Sequence, residues 1–291
     1  MNPDSPAEIR SLLDERGLAL KKRWGQNFLV NRGARERLVG LLEPGPGQTI
    51  WEIGPGLGAM TAMLASSAGR VIAFEVDRGL CRYLQEVLGG MPAITLVPGD
   101  FLLTWKEALA AHGQPQRILG NLPYRSASLM LAQLIEGGVR PERMVFTVQK
   151  ELAERMTCAP GRKSYSSFSV LCQACFTVTG RGDLQPGSFY PVPEVVSSVV
   201  EMTPLPGAPT GRTLEAVSGL ARKLFASRRK TIRNNAEDPA LLGALDQEGI
   251  DLGLRAEQLP PEVFVRLARR LAAPEAARRL AGPRGSPRAG L

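Results

Sequence analysis

The sequence predicts an α/β protein in two parts, a mostly parallel sheet wrapped by helices followed by a small all-helical domain. Three observations predict it. From Thr49 onward, short β-branched or apolar runs alternate with stretches of helical periodicity, the pattern of βα units on a parallel sheet. A glycine-rich segment, Gly54-Pro-Gly-Leu-Gly58, stands where the first of those strands passes into a helix. Finally, Pro204-Leu-Pro-Gly-Ala-Pro209 stops the last strand with prolines that neither regular structure accommodates.

Taken in order, strands are expected near 49–53, 70–75, 94–98, 116–120, 143–149, 174–179 and 195–203. Helices are expected at 33–42, 57–67, 77–89, 126–137, 150–156 and 164–172, with right-handed crossovers covering both faces of the sheet. Residues 1–205 therefore read as one α/β domain, with 1–30 as its N-terminal arm. Beyond the proline break, 213–226, 228–235, 238–248 and 260–272 read as amphipathic helices, with Pro239 and Pro260 where proline suits a helix start. These helices form a small domain over 210–273. Residues 274–291 mix Arg, Ala, Gly and Pro with almost nothing to bury, and are expected to be a disordered tail.

The chain has 291 residues, 44% of them hydrophobic, and a formal charge of +8. Residues 212–291 hold 15 Lys and Arg against 9 Asp and Glu, so most of the excess lies in the last quarter and points to a polyanionic partner. Four cysteines in a chain this long argue against a disulfide scaffold and for a reducing compartment, so a cytoplasmic location is expected. Asp4, Glu8, Asp14 and Glu15 occupy the N-terminus, and no run of about 18 apolar residues exists, which speaks against export and membrane insertion. Cys172 and Cys175 form a C-x-x-C without a second pair or a nearby histidine, so buried thiols are expected and no metal.

The strand Thr49-Ile-Trp-Glu-Ile53 runs straight into the glycine segment, where glycine lets the backbone turn sharply and approach a ligand. Gly54, Gly56 and Ala59, with Glu75 about 20 residues on, also satisfy a dinucleotide fingerprint. Pro98-Gly-Asp100-Phe101 adds a third element, for Glu52, Glu75 and Asp100 then finish three successive strands at one edge, where open α/β sheets bind ligands. Glu75 can take both hydroxyls of a ribose, and Asp100 can accept from an adenine amine. Singly, each acid also fits a helix N-cap. Hydride chemistry is disfavoured: His112 is the one histidine, in a segment read as irregular, and no Tyr-x-x-x-Lys exists.

Asn121-Leu-Pro-Tyr124 ends a later strand beside the same crevice. An adenine's exocyclic nitrogen is a poor nucleophile because its lone pair is delocalised into the ring, and hydrogen-bond acceptors can draw it out. The Asn121 side-chain carbonyl and the Leu122 backbone carbonyl suit that task, Pro123 fixes the turn without a competing donor, and Tyr124 can stack on the base. An activated methyl donor needs positioning more than a strong general base.

These motifs, together with Gly25-Gln-Asn-Phe-Leu29, Val148-Gln-Lys-Glu151, Phe189-Tyr-Pro-Val-Pro-Glu-Val195 with Ser197, and Ser227-Arg-Arg-Lys-Thr-Ile-Arg-Asn234, resemble the ribosomal RNA adenine dimethyltransferase family over about residues 20–272, most closely its small-subunit branch. The resemblance implies a Rossmann-like S-adenosylmethionine-dependent methyltransferase domain with a seven-stranded sheet. It implies that Gln26, Asn27 and Leu29 close over the cofactor, Gly54 and Gly56 cradle its methionine end below Glu52, Glu75 binds the ribose, and Asp100 with Phe101 binds the adenine. Asn121 would touch cofactor and target alike, and Phe189 would form the second face of an aromatic sandwich opposite Tyr124.

The implied substrate is a pair of adjacent adenosines in a hairpin near the 3′ end of small-subunit 16S RNA, dimethylated on a pre-ribosomal particle by a monomer. Arg125, where many relatives carry Asn, and the tail depart from the family pattern. Lys223, Arg228, Arg229, Lys230 and Arg233, with Lys21, Lys22 and Arg23, are read as RNA-phosphate contacts, Arg222, Arg229 and Arg233 at helical spacing on one face. Rival readings are the macrolide-resistance methyltransferases of large-subunit RNA, the DNA adenine methyltransferases with a related Asn-Pro-Pro-Tyr, and a non-catalytic assembly factor.

Overall fold

The computed structural model describes residues 1–20 and 25–272. Lys21, Lys22, Arg23 and the 274–291 tail lie outside them. Contacts divide the chain into two units: Met1–Thr157 with Phe176–Pro206, and Cys158–Cys175 with the chain from Gly207 onward. The α/β reading of 1–205 therefore differs at 158–175, a segment whose helix packs among the C-terminal helices.

The first unit is built on a seven-stranded sheet. Its strands are β2 (Thr49–Ile53), β3 (Arg70–Glu75), β4 (Ile94–Pro98), β5 (Arg117–Asn121), β6 (Arg143–Gln149), β7 (Phe176–Leu184) and β9 (Ser197–Pro204), in the order β4-β3-β2-β5-β6-β9-β7. The five strands from β4 to β6 run parallel; β9 is antiparallel to β6 and β7 to β9. Central β2 is buried on both faces, at Ile50, Trp51, Glu52 and Ile53, which explains an apolar run without alternation. The chain winds from β2 outward through β3 and β4, then returns to place β5 on the other side of β2. That reversal opens a crevice at the carboxyl ends of β2 and β5.

Helices α2 (Arg32–Leu42), α3 (Ala59–Ala65), α4 (Arg78–Leu88), α5 (Phe101–His112), α6 (Ala127–Glu136) and α7 (Lys150–Thr157) accompany the sheet. The side chains of Asn31, Asp77 and Asp100 cap α2, α4 and α5 by accepting backbone N–H bonds, each worth about 1 kcal/mol. A two-stranded ladder pairs β1 (Phe28–Leu29) with β8 (Phe189–Tyr190).

Two helices were not anticipated. The segment read as irregular around His112 is α5, whose apolar residues lie on more than one side: Phe101, Trp105 and Ala108 are buried while Leu103 is exposed, so its period is blurred. Helix α1 (Pro6–Glu15), capped by Ser5, buries only Ile9 and Leu13. β7 also runs past 179 to Leu184, through a register shift between Gly180 and Asp183.

The second unit contains α8 (Ser167–Cys175), α9 (Gly211–Leu224), α10 (Ile232–Ala236), α11 (Pro239–Gln247) and α12 (Pro261–Ala272). Phe225 stands between the rings of Tyr165 and Phe264 in its core, at 6.0 and 6.2 Å. The Tyr165 hydroxyl donates to the Leu259 carbonyl. Cys172 and Cys175 are buried free thiols.

The helix expected at 228–235 is shorter. α9 stops at Leu224, residues 227–230 form a turn closed by Lys230 N–H to the Ser227 carbonyl, and α10 begins at Ile232. Asn235 explains the break, since its side-chain amide donates to the carbonyls of Leu224 and Ser227 and satisfies the end of α9. Arg222, Arg229 and Arg233 therefore do not share one helical face.

Candidate active site

The crevice at the reversal point is a cleft of about 260 Å³, lined wholly by the first unit. Its floor is the turn after β2. Gly54 and Gly56 have φ of +77° and +60°, values that L side chains rarely adopt, and a Cβ on Gly56 would come within 2.9 Å of the Phe28 ring. A Cβ on Gly54 would sit 3.5 Å from the Asn121 carbonyl oxygen, so the glycine turn and the end of β5 adjoin.

Glu75, at the end of β3, lines the cleft and is only 4% exposed. Its carboxylate accepts from the N–H of Asp77 at 2.9 Å and of Gly56 at 3.2 Å. Burial nevertheless pushes its pKa up to about 7, against the lowering effect of those bonds and with a further raise from Asp77. Glu52 lies beneath the turn, fully buried, and is not among the lining residues. Burial also raises its pKa to about 7; the nearby Thr61 hydroxyl tempers this, yet neither carboxylate oxygen has a partner of standard hydrogen-bond geometry. Its expected contact with a cofactor is corrected by this geometry, because the glycine turn covers it.

Asp100 lines the cleft and caps α5 through Oδ1, which accepts from Leu102 N–H at 2.9 Å. Phe101 is buried with its ring edge-on to Phe74, 5.0 Å away, and also reaches the cleft. Gln26, Asn27 and Leu29 form a wall, with Gln26 donating to Asp77 at 3.4 Å.

Asn121 donates through Nδ2 to the Asn27 carbonyl at 2.7 Å, which fixes which end of the amide is which. Its Oδ1 has no donor among the described residues. Leu122 is buried, with its N–H given to the Thr147 carbonyl; Pro123 lines the cleft; Tyr124 is half-buried, its hydroxyl 2.6 Å from Ser197 Oγ. Burial raises the Tyr124 pKa, opposed by Ser197.

Phe189 is a correction. It is 1% exposed, packed in the core with Leu29, Leu38 and Val199, because its pairing opposite Leu29 turns the side chain inward. Neither it nor Tyr124 is among the residues that line the cleft.

Several cleft residues had no part in the sequence reading. Asp77, which stands behind the lining, where it accepts from Gln26 and donates its N–H to Glu75, was findable as an acid followed by a helix directly after a strand. Pro3, Ile9 and Arg35 were not: Arg35 is a buried arginine that donates to the Leu29 carbonyl at 2.7 Å and pairs with Asp4, tying the N-terminal arm to the cleft wall.

Of the described cations expected to meet RNA, Arg228 is engaged by Glu257 at 2.7 Å and Lys223 lies 3.7 Å from Asp238, whereas Arg229, Lys230 and Arg233 are exposed. Among the described residues no cluster of His, Cys, Asp or Glu could hold a metal ion, and no helix is long and apolar enough to cross a membrane.

This sheet order, glycine turn and acid-lined carboxyl edge define a Rossmann-like methyltransferase that takes its methyl group from S-adenosylmethionine. The model of the ribosomal RNA adenine dimethylase family matches residues 17–273, and the chain belongs to that family. It is 37% identical to the ribosomal RNA small subunit methyltransferase A of Treponema denticola, over 92% of this chain and 94% of that one. To the protein of the same name from Aromatoleum aromaticum it is 38% identical, over 87% and 94%. Among solved structures, a dimethyladenosine transferase from Plasmodium falciparum shares the fold with a TM-score of 0.73 at 21% identity, covering 83% of this chain and 96% of that one. The 23S rRNA methyltransferase ErmE superimposes with a TM-score of 0.63 at 26% identity, covering 85% and 100%.

Proposed function

We propose that this protein dimethylates N6 of two adjacent adenosines in a hairpin near the 3′ end of small-subunit ribosomal RNA, acting as a monomer on a pre-ribosomal particle in the cytoplasm. The observation that carries the reading is the Asn121 amide, held by Asn27 with its carbonyl oxygen unengaged at the edge of the cleft. The curated relatives, named for the small subunit, favour that substrate over large-subunit RNA.

The donor set fits S-adenosylmethionine. Gly54 and Gly56 leave the floor open for close approach, Glu75 offers a carboxylate to ribose hydroxyls, and Asp100 with the Phe101 edge offers an acceptor and an apolar surface to an adenine. When bound, the cofactor supplies a methyl group already activated on a sulfonium. Everything else falls to the chain. Asn121 Oδ1 accepts one amine proton of the target adenine and the Leu122 carbonyl the other, which localises the nitrogen lone pair. Pro123 stiffens the turn, and Tyr124, steadied by Ser197, presents a ring face to the base. With Phe189 in the core, the aromatic sandwich expected around the base loses that face. Water takes the proton shed by the methylated amine, so the site works by positioning.

The test supplies labelled cofactor and small subunits lacking these methyl groups, then maps the label. Label on two neighbouring adenosines is expected, and Asn121→Ala should lower turnover at least about a hundredfold while cofactor still binds. Label confined to large-subunit RNA, or none, would overturn the reading.

A further inference from the structure

We infer that an apolar rim with Arg125 at its centre grips the unpaired nucleotides flanking the target base; this rests on the reading of the cleft as an RNA-adenine site. Large hydrophobic side chains are rarely exposed in the described chain, and four of the six that are stand along one edge of the sheet, Met1 and Val87 not being among them. Leu103 (81% exposed) lies in the first turn of α5, Leu129 in the first turn of α6, and Val192 (64% exposed) and Val195 in the loop leading to β9. α5 follows β4 and α6 follows β5, both parallel strands; β9 starts at Ser197, opposite Gln149 at the end of β6. All four residues thus stand at the carboxyl edge of the sheet, where the cleft opens.

From β4 to β9 the sheet spans five strand spacings, about 24 Å. That is room for several nucleotides on both sides of the mouth. Asp100, Phe101, Ser126 and Met130, neighbours of Leu103 and Leu129 in sequence, line the cleft itself, so the rim continues the site rather than forming a separate patch.

Arg125 decides what the rim takes. It lines the cleft, is exposed, and among the described residues has no ion-pair or hydrogen-bond partner. Apolar surface around an unengaged guanidinium matches single-stranded nucleic acid, which alternates apolar base faces with anionic phosphates. A paired helix would hide the base faces and leave the aliphatic side chains in water. The rim therefore selects for an unpaired loop and holds the neighbours of the adenine that enters beside Tyr124.

The experiment measures binding of a naked RNA hairpin with an adenosine-containing loop, and of its fully paired duplex, by fluorescence anisotropy, with turnover on undermethylated small subunits. The variants are Leu103→Ser/Leu129→Ser/Val192→Ser, Arg125→Ala and Arg125→Lys. The triple variant should bind the hairpin about tenfold more weakly, raise KM for the subunit, and keep kcat and cofactor affinity within about twofold of wild type. Arg125→Ala should reduce the slope of log affinity against log salt by about one, and Arg125→Lys should restore it. Unchanged hairpin affinity in the triple variant overturns the inference, including the case where KM for the intact subunit alone rises, since the rim would then meet a protein. Equal loss on duplex and hairpin overturns it too. If wild type methylates no RNA, the underlying reading fails instead.

Discussion

Glu75 sits under two opposing demands. Burial favours its protonated form, with a pKa of about 7, whereas accepting hydroxyl protons requires the carboxylate. Cofactor affinity should therefore climb as pH rises from 6 and level off above about 7, being about tenfold weaker at pH 6 than on the plateau. The apoprotein should show the opposite trend. An acid whose folded pKa is raised contributes stability below its unfolded pKa and loses it as pH rises through the folded one, so Glu75 and Glu52 both lower stability between about pH 4.5 and 7. Calorimetric titration of S-adenosylmethionine across this range, with Glu75→Gln as the flat control, checks the first trend; a level wild-type profile would refute it. At this scale the positions of Glu75, Asp100 and Asn121 on the cleft were legible because each lies at or just past the end of a strand whose apolar run is easily read, whereas that of Glu52 was not. Phe189 was not. Its flanking prolines announce a loop, but the ladder that draws its ring into the core depends on Leu29, 160 residues earlier in the chain.

Among elements, the central strands and α3, α4 and α6 were legible, because strands buried on both faces leave continuous β-branched runs and these helices keep a readable stripe, which α5 does not. Helix α1 was not, since two buried residues make no pattern and its partners Val30, Leu57, Leu80 and Tyr83 come from separate segments. Its place against the cleft rests on Arg35, whose guanidinium joins Asp4 and the Pro3 carbonyl to the Leu29 carbonyl. Arg35→Ala strands the buried Leu29 carbonyl and should cost about 1–3 kcal/mol in stability. The milder Asp4→Asn should leave the melting temperature nearly intact and weaken cofactor binding severalfold, because Pro3 and Ile9 line the cleft. Cofactor affinity equal to wild type in Asp4→Asn would show that the arm takes no part in the site.

The whole molecule carries its charge unevenly, with a net +6 over residues 212–291 and +2 over the rest. That asymmetry was visible in composition, but the arrangement was not, because a turn over 227–230, buttressed by Asn235, takes the place of the first residues of the helix expected at 228–235. Arg229 and Lys230 are exposed in that turn, while neighbouring Arg228 is spent on Glu257. Reversing both, Arg229→Glu with Lys230→Glu, should weaken RNA binding about tenfold at moderate salt and flatten its salt dependence by about two phosphate contacts. Filter binding over a salt series measures this, and an unchanged slope would remove the turn from the RNA surface. The division of the chain at 158–175 was hidden for a related reason: a segment that returns to a distant unit leaves no composition break where it departs.

The ladder of Phe28 and Leu29 on Tyr190 and Phe189 is short, yet Val30 and Asn31 extend it by both donating to the Ser188 carbonyl. It buttons the cleft wall of Gln26, Asn27 and Leu29 to the root of the loop that carries Val192. Small molecule and RNA are therefore expected to alter each other's affinity by one and the same factor, which titrating each with and without the other would check; two independent affinities would show that the ladder transmits nothing.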